Sequence, residues 1–397
     1  MHIIESGNVA AAIGVKLSRT QVIAAYPITP QTPLTEKLSE FVELGELDAQ
    51  YIPVESEHSA LAVCIAASST GARAFTGTSA NGLLYMSEQI HWAAGARLPI
   101  VMCVVNRGIG APWTVWNDHQ DSISQRDNGW IQIYANDHQQ IIDSVIKAFF
   151  LAEKVSIPVM VCYDGYILSH TYMPFEIPDQ SKVDEFLPKF SPNYALHPDE
   201  PANLNSVTFP DVRNDIRGNL APGYMEIRHM LHRDMREAIG EIDEIDKRYL
   251  KIFGRGGTPF VEGYKNEDAA FIAVCLGSLS YRLRDVVDTL RQEGINVGVV
   301  SIHVYRPFPE KEVVCAFKKA KKVIVFEKAL SYGNEGALYA DIKSALYSCE
   351  ERPLVQNYIL GIGGREIKTD DLYNTLKDSC TIHKSSICQP KWIGLKM

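Results

Sequence analysis

Short apolar segments alternate with helical segments along the first 170 residues, and this alternation constrains the fold more than any other feature. Five segments are apolar enough on both faces to form buried strands: residues 22–29, 49–56, 72–79, 98–107 and 157–166. Helical patterns follow the first three of them, at residues 33–45, 57–71 and 81–96. Strands that are buried on both faces and joined by helices are typical of a parallel sheet covered by helices. We therefore predict an α/β fold for this part of the chain.

The alternation stops after residue 170 and resumes at residue 268. The residues between are rich in Pro, Asp and Asn and contain one clear helical pattern, at residues 223–250. The later strand and helix patterns indicate a second, smaller α/β domain. We predict four parts: a first domain of residues 1–170, a connecting segment of 171–265, a second domain of 266–365, and a C-terminal helix and tail of 366–397.

Composition and charge exclude several classes of protein. The 397 residues carry a net charge of −9, whereas nucleic-acid-binding domains usually present a basic face. No apolar run approaches the roughly 18 residues of a membrane span, and the first residues lack the pattern of a signal peptide. The eight cysteines include no CxxC pair, which disfavours an iron–sulfur cluster or a zinc site on this chain. We expect a cytoplasmic protein that binds neither membrane nor nucleic acid and holds no metal itself.

Polar side chains lie at the carboxyl ends of four of the predicted strands or directly after them. They are Thr29, the run Glu55–His58, the run Thr76–Asn81, and the pair Asn106 and Arg107. In an open parallel sheet the loops at the carboxyl ends of the strands share one edge, where ligands bind. A guanidinium is hard to bury and suits two-pronged binding of a carboxylate, which makes Arg107 a candidate anion ligand. For Glu55 and Glu57 the alternative is a favourable charge at a helix N-terminus.

The loop after the first of these strands is unusually rigid. Residues 24–33, AAYPITPQTP, contain three prolines, each of which fixes its own backbone and restricts the residue before it. Such a loop would hold the Thr29 hydroxyl in one place. The alternative is a stiff connector in which Thr32 or Thr35 caps the next helix.

The segment 108–122, GIGAPWTVWNDHQDS, follows Arg107 and combines glycines, two tryptophans and three titratable residues. A loop of such mixed composition at the ligand edge indicates a functional role, although an ordered surface loop is the alternative. The spacing of His119 and Asp121 suggests a metal site, but the sequence shows no third ligand, and we predict none.

Five motifs taken together resemble a known family. They are YPITPQTP, VESEHSA, TGTSANGLLYMSEQI, LPIVMCVVNRGIGAPWTVWNDHQDSISQRDNGWIQ and MVCYDGYILSH. The chain resembles the alpha subunit of the 2-oxoacid:ferredoxin oxidoreductases, of the pyruvate (pyruvate synthase) type. The resemblance implies a pyrimidine-binding domain of the thiamine diphosphate fold. The later segments AVCLGS, VYRPFPEKEV and GIGGREI resemble the family's smaller domain, which is similar to the C-terminal domain of transketolase.

The resemblance also implies roles for four residues. The family glutamate that hydrogen-bonds the aminopyrimidine ring matches Glu57, which would favour the imino form whose nitrogen takes the proton from the thiazolium carbon. The family threonine that binds the 2-oxoacid beside the cofactor matches Thr29, and Ile28 and Thr29 would also contact the cofactor. The family arginine that holds the substrate carboxylate matches Arg107.

Other parts of such an enzyme are missing from this sequence. It has neither the GDG…NN signature that binds the diphosphate nor a cysteine cluster. The resemblance implies that Mg²⁺ and the 4Fe-4S clusters lie on partner subunits of beta, gamma and delta type. The assembly would be a dimer of hetero-oligomers that uses coenzyme A and passes electrons to ferredoxin or another acceptor.

The identity of the 2-oxoacid stays open at this point. An uncharged Thr29 disfavours a dicarboxylate, and pyruvate is the favoured substrate. Gly108, Ile109, Gly110 and Trp113 differ from the usual pyruvate pattern and leave an aromatic or branched 2-oxoacid, such as phenylglyoxylate, as an alternative. A non-catalytic assembly scaffold is a further alternative, but the presence of Glu57 and Arg107 disfavours it.

Overall fold

The computed structural model describes residues 1–191, 210–214, 220–380 and 389–396. The strands in these ranges are β1 (His2–Ser6), β2 (Val22–Ala25), β3 (Gln50–Pro53), β4 (Ala74–Thr78), β5 (Val101–Asn106), β6 (Ile131–Tyr134), β7 (Val159–Asp164), β8 (Tyr172–Glu176), β9 (Arg213–Asn214), β10 (Leu220–Ala221), β11 (Val261–Tyr264), β12 (Phe271–Cys275), β13 (Val297–Ile302), β14 (Val304–Arg306), β15 (Lys322–Glu327), β16 (Leu354–Ile359) and β17 (Lys391–Trp392).

The helices in the same ranges are α1 (Gly7–Leu17), α2 (Thr32–Glu43), α3 (Glu57–Ser69), α4 (Ala80–Tyr85), α5 (Ser87–Gly95), α6 (Gln120–Ser124), α7 (His138–Val155), α8 (Gln180–Phe186), α9 (Tyr224–Phe253), α10 (Leu279–Gln292), α11 (Glu310–Ala316), α12 (Ala337–Leu346) and α13 (Thr369–Ser379), with a short 3₁₀ turn at Ile362–Gly364.

Over these described ranges the first large sheet has seven strands in the order β14-β6-β7-β5-β4-β2-β3. Every neighbouring pair is parallel except β14 and β6. All residues of β4, β5 and β7 are buried, as expected for central strands of a sheet that is covered on both faces. The predicted parallel sheet is therefore confirmed.

The second large sheet has the order β11-β13-β12-β15-β16-β17 and is parallel except for the edge strand β11. Its two faces contribute to different apolar clusters. Ile272 and Val274 of β12 belong to the cluster that continues into the first sheet, whereas Ala273 and Cys275 belong to a separate cluster with α10 and α13. The period of two along β12 thus packs one face of this sheet against the rest of the molecule.

Two local expectations and one alternative were wrong. The strand predicted at residues 22–29 ends at Ala25, since Pro27 cannot donate to the ladder. The single helix predicted at residues 81–96 is two helices, because the buried Met86 has a ψ of −2° and interrupts the helical path. Neither Thr32 nor Thr35 caps α2. The N-cap residue is Gln31, whose side chain makes no capping hydrogen bond.

The edge strand β14 was not predicted. It follows β13 of the second sheet directly, yet it pairs with β6 of the first sheet.

Among the described residues, no helix has both the length and the apolar character needed to cross a bilayer.

Candidate active site at the carboxyl edge of the first sheet

The carboxyl ends of β2, β4, β5 and β7 lie at one edge of the first sheet because these strands are parallel. The loops that follow them contain Thr29, the turn at residues 79–82, and Arg107. Glu57 begins α3, after the neighbouring edge strand β3. The fold therefore places all four predicted loops at the same edge, where ligands bind in open α/β sheets.

Glu57 is the first residue of α3, and its side chain is 7% exposed. The preceding Ser56 caps the helix, with its hydroxyl accepting a hydrogen bond from the Ser59 N–H at 3.2 Å. Burial raises the pKa of the Glu57 carboxyl, while its own backbone N–H and the charge of Arg107 act in the opposite direction. Glu57 is thus a buried acid whose neutral form is favoured more than in water.

Gly82 gives the Glu57 carboxyl the room that it occupies. A Cβ atom at residue 82 would lie 2.6 Å from Oε1 of Glu57 and 2.6 Å from Oγ1 of Thr78. The Thr78 hydroxyl is buried and has no hydrogen-bond partner in the described part of the chain. Sequence reasoning included Thr78 in the polar run Thr76–Asn81 but did not single out Gly82, although a glycine within the predicted helix at 81–96 was a signal that something packs closely there.

Arg107 follows β5, and its side chain is 6% exposed. Its Nη1 donates to the Thr29 carbonyl oxygen at 2.7 Å, whereas its buried Nε has no hydrogen-bond partner among the described residues. Burial lowers the pKa of Arg107, and the charges of Asp121 and Glu57 are among those that oppose this shift. A buried guanidinium with an unused donor requires an explanation, and an anionic ligand supplies one.

The proline loop brings Thr29 next to Arg107 through its main chain. The Thr29–Pro30 peptide bond is cis, and the Pro30 carbonyl accepts a hydrogen bond from Asn8 Nδ2 at 2.9 Å. Thr29 itself is exposed at the sheet edge. Ile28 is half-buried, and its carbonyl accepts the N–H groups of Gln31 at 2.7 Å and Thr32 at 3.1 Å, which are contacts within the loop.

Asp121 and His119, whose spacing suggested a metal site, both bind other protein groups in this structure. The buried Asp121 accepts hydrogen bonds from Asn106, Arg107 and other groups, and burial raises its pKa to about 7. His119 Nε2 lies 2.5 Å from Oδ1 of Asp164. Within the described ranges, no group of three His, Cys, Asp or Glu side chains is arranged to hold a metal ion.

The tip of the 108–118 loop is exposed. Trp113 is 75% exposed, and its ring packs over Gly110, where a Cβ would lie 2.9 Å from Cε3 of the indole. Asn81 holds the same turn, accepting the Gly110 N–H at 2.9 Å. In this chain the indole therefore lines an open edge rather than a closed pocket.

A buried ion cluster, which we call the Asp164 cluster, joins the 108–118 loop to the second sheet. Asp164 ends β7 and accepts hydrogen bonds from Lys328 Nζ at 3.1 Å, Asn117 Nδ2 at 3.1 Å and the Ser278 N–H at 3.0 Å. Lys328 and His119 hold the pKa of Asp164 well below its usual range despite the burial of that carboxyl. Sequence reasoning missed this cluster.

Comparison with known proteins identifies the family. Residues 13–236 match the family model described as pyruvate flavodoxin/ferredoxin oxidoreductase, thiamine diphosphate-binding. Residues 269–372 match the model described as pyruvate:ferredoxin oxidoreductase core domain II. The chain belongs to the pyruvate flavodoxin/ferredoxin oxidoreductase family. The resemblance inferred from the sequence is thus confirmed, as are the α/β fold and the thiamine diphosphate-binding domain.

Two similar relatives carry different names. The ketoisovalerate oxidoreductase subunit VorA of Pyrococcus abyssi is 44% identical over 98% of this chain and 97% of its own length. The pyruvate synthase subunit PorA of Methanocaldococcus jannaschii is also 44% identical, over the same shares of both chains. The chain is therefore an oxidoreductase subunit, and identity alone does not separate the two substrates.

A solved structure shows the same fold. The 2-oxoglutarate:ferredoxin oxidoreductase from Magnetococcus marinus aligns with a TM-score of 0.73 and 21% identity. The alignment covers 96% of this chain and 65% of that chain.

Proposed function

We propose that this chain is the alpha subunit of an enzyme that converts a 2-oxoacid and coenzyme A to acyl-CoA, carbon dioxide, a proton and two electrons. The proposed substrate is pyruvate. The observation that carries the proposal is the pairing at one sheet edge of a buried acid, Glu57, with a buried guanidinium, Arg107, whose Nε is unused among the described residues. These two groups suit a neutral heterocycle and an anionic substrate, respectively.

The residues fit the aminopyrimidine part of thiamine diphosphate. Burial favours the neutral Glu57 carboxyl, which can donate a hydrogen bond to a ring nitrogen and share its proton with it. Ile28 and Thr29 would contact the cofactor from the proline loop. Bound thiamine diphosphate would supply the electron sink that allows the 2-oxoacid to lose carbon dioxide.

Arg107 and Thr29 would hold the substrate. The guanidinium, which is fixed by its bond to the Thr29 carbonyl, would bind the substrate carboxylate. The Thr29 hydroxyl would bind the 2-oxoacid from the same rigid loop, so that little conformational entropy is lost on binding.

The remaining components would come from partner subunits. We propose beta, gamma and delta type subunits that hold Mg²⁺ and 4Fe-4S clusters, with ferredoxin or another protein as the electron acceptor. The predicted dimer of hetero-oligomers, the cytoplasmic location and the four-part domain division are parts of the same proposal.

A branched 2-oxoacid is the second candidate substrate. The relatives named ketoisovalerate oxidoreductase are as similar to this chain as those named pyruvate synthase. Assay of the purified complex with a panel of 2-oxoacids, coenzyme A and a viologen dye tests the proposal. Preference for pyruvate supports the proposal. Preference for a branched or aromatic acid would put that acid in place of pyruvate as the substrate. No turnover of any 2-oxoacid would contradict the proposed function.

Replacing Arg107 with alanine is expected to lower kcat/KM for the 2-oxoacid about 30-fold or more, mainly through KM, because losing one partner of a buried charge pair costs about 2–5 kcal/mol. Steady-state kinetics of the complex measure this effect. The matched control is Arg97→Ala, since Arg97 is also buried but donates to the Ser156 and Val155 carbonyls. The control should lose stability and keep its KM, and an unchanged KM in Arg107→Ala would remove the arginine from substrate binding.

Replacing Gly82 with alanine is expected to weaken cofactor binding strongly while changing stability only a little. The added methyl group would displace the Glu57 carboxyl, which should raise the thiamine diphosphate concentration needed for half-maximal activity about tenfold. Alanine favours a helix over glycine by about 0.8–1.0 kcal/mol, whereas an added methyl group in a packed site costs about 1–3 kcal/mol, so the unfolding temperature should fall slightly. The control Gly240→Ala lies in α9, where a Cβ meets nothing within 4 Å, and should leave cofactor affinity unchanged. Equal affinity in the two variants would contradict the proposed position of the cofactor ring.

A further inference from the structure

The buried carboxylate of Asp121 joins two turns of the candidate active site. Its Oδ2 accepts the backbone N–H of Arg107 at 3.0 Å and the backbone N–H of Ala80 at 3.0 Å. Arg107 follows β5 and Ala80 follows β4, two neighbouring strands of the first sheet. A single oxygen atom thus fixes the spacing between the turns that end these strands.

The other oxygen of Asp121 is also fully used. Oδ1 accepts Asn106 Nδ2 at 2.8 Å and the Ser122 N–H at 2.8 Å. Four donors from both sides prevent the carboxylate from rotating, since any rotation would leave buried N–H groups without partners.

The turn that Asp121 bonds, at residues 79–82, packs against the Glu57 carboxyl. Ala80 has a φ of +43°, a conformation that a non-glycine residue adopts only when its surroundings impose it. Two residues later, Gly82 makes room for the Glu57 carboxyl. The path Arg107–Asp121–Ala80–Gly82–Glu57 therefore connects the two groups that carry the proposed function.

We propose that Asp121 is a positioning residue that sets the distance between Arg107 and Glu57, and hence between the bound 2-oxoacid and the cofactor ring. This inference rests on the proposed function. Asp121 is fully buried and acts through the backbone of Arg107 and of Ala80.

The first test is Asp121→Asn in the assembled complex. An asparagine keeps the shape but has one acceptor oxygen, so one pair of donors loses its partner. The Asn106 amide can turn and offer its oxygen, which has no partner among the described residues, and this should let the variant fold. The Ser122 N–H would still meet the new amide nitrogen and push the carboxamide out of place, which would shift the oxygen that accepts the Arg107 and Ala80 N–H groups. We expect KM for pyruvate to rise about tenfold, because small displacements of a binding group have large effects. The pyruvate Kd, measured by calorimetry on the thiamine-free complex, should rise by a similar factor.

The second test is a double-mutant cycle with Arg107→Ala. If Asp121 acts through Arg107, Asp121→Asn should add less than about twofold to KM in the Arg107→Ala background. The control is Asp246→Asn, since Asp246 is a buried carboxylate that bonds Lys147 and the Gly257 N–H rather than the turns of the candidate site. This control should lower stability and leave KM and Kd unchanged.

The outcomes separate this inference from the proposed function. A folded Asp121→Asn complex with wild-type KM and Kd, or effects that multiply with those of Arg107→Ala, overturns the positioning role and leaves the function intact. If Asp121→Asn does not fold, Asn106→Ala takes its place, since it removes one donor to Oδ1 and keeps both backbone bonds. It should raise KM by a smaller factor that again does not add to Arg107→Ala, and additivity there overturns the inference. A wild-type complex that turns over no 2-oxoacid ends the proposed function and this inference with it.

Discussion

Replacing Glu57 with glutamine is expected to lower the turnover number of the assembled complex by about 10²- to 10⁴-fold, the usual contribution of a positioned acid or base. Glutamine keeps the size of the side chain but cannot hold a transferable proton. Because the Glu57 carboxyl is buried and its pKa is raised, the neutral side chain should fit the same space and leave the unfolding temperature nearly unchanged. The measurement is kcat at saturating 2-oxoacid, coenzyme A and thiamine diphosphate.

Glu55→Gln is the matched control for this variant. Glu55 lies two residues earlier, is exposed, and accepts a hydrogen bond from the Ser59 hydroxyl. Its replacement should leave kcat within about twofold of wild type, since an exposed surface contact contributes little. Equal turnover in the two variants would show that the carboxyl of Glu57 has no part in the reaction.

Replacing Lys328 with methionine is expected to lower the free energy of unfolding by about 3–5 kcal/mol, because it leaves the buried Asp164 carboxylate without its ammonium partner. Lys328 and Asp164 are both buried, and Lys328 also donates to Asn117 Oδ1 at 2.9 Å. Because the Asp164 cluster links the 108–118 loop to the second sheet, loss of the ammonium should destabilise both the loop and the second sheet. Denaturant titration of the full chain measures the effect.

The pH dependence of this loss has a definite sign. The folded-state pKa of Asp164 is lowered, so its charge adds stability above the unfolded pKa of about 3.9 and loses that contribution as pH falls through the folded value. The deficit of Lys328→Met should therefore be largest near neutral pH and shrink in acid. Lys343→Met is the control, since Lys343 pairs with Glu335 at the surface and should cost less than about 1 kcal/mol. A deficit no larger than in this control would contradict the account of the cluster.

The alternation of apolar and helical segments was enough to predict the two parallel sheets. Strands such as β4, β5 and β7 are buried on both faces, and burial of that kind shows in the local sequence. The partner of β14 could not be predicted in the same way. β14 has three residues and pairs across more than 160 positions with β6, and no local pattern encodes a pairing of such range.

The residues of the candidate site also differ in whether the local sequence reveals their role. Glu57 and Arg107 stand at the carboxyl ends of predicted strands, where position alone suggests a ligand. Asp121 and Gly82 act through contacts between separate turns, and for Asp121 the sequence offered no more than its place in a loop of mixed composition. The roles of such residues depend on which loops the sheet brings together, and this became visible once the order β5-β4-β2-β3 was known.

The most direct test of the account is a structure of the assembled complex with thiamine diphosphate and a 2-oxoacid. The account predicts a Glu57 carboxyl oxygen within about 2.6–3.2 Å of a nitrogen of the aminopyrimidine ring, and the Arg107 guanidinium at the same range from the substrate carboxylate. A cofactor ring bound away from Glu57, or a substrate carboxylate held by groups other than Arg107, would contradict it.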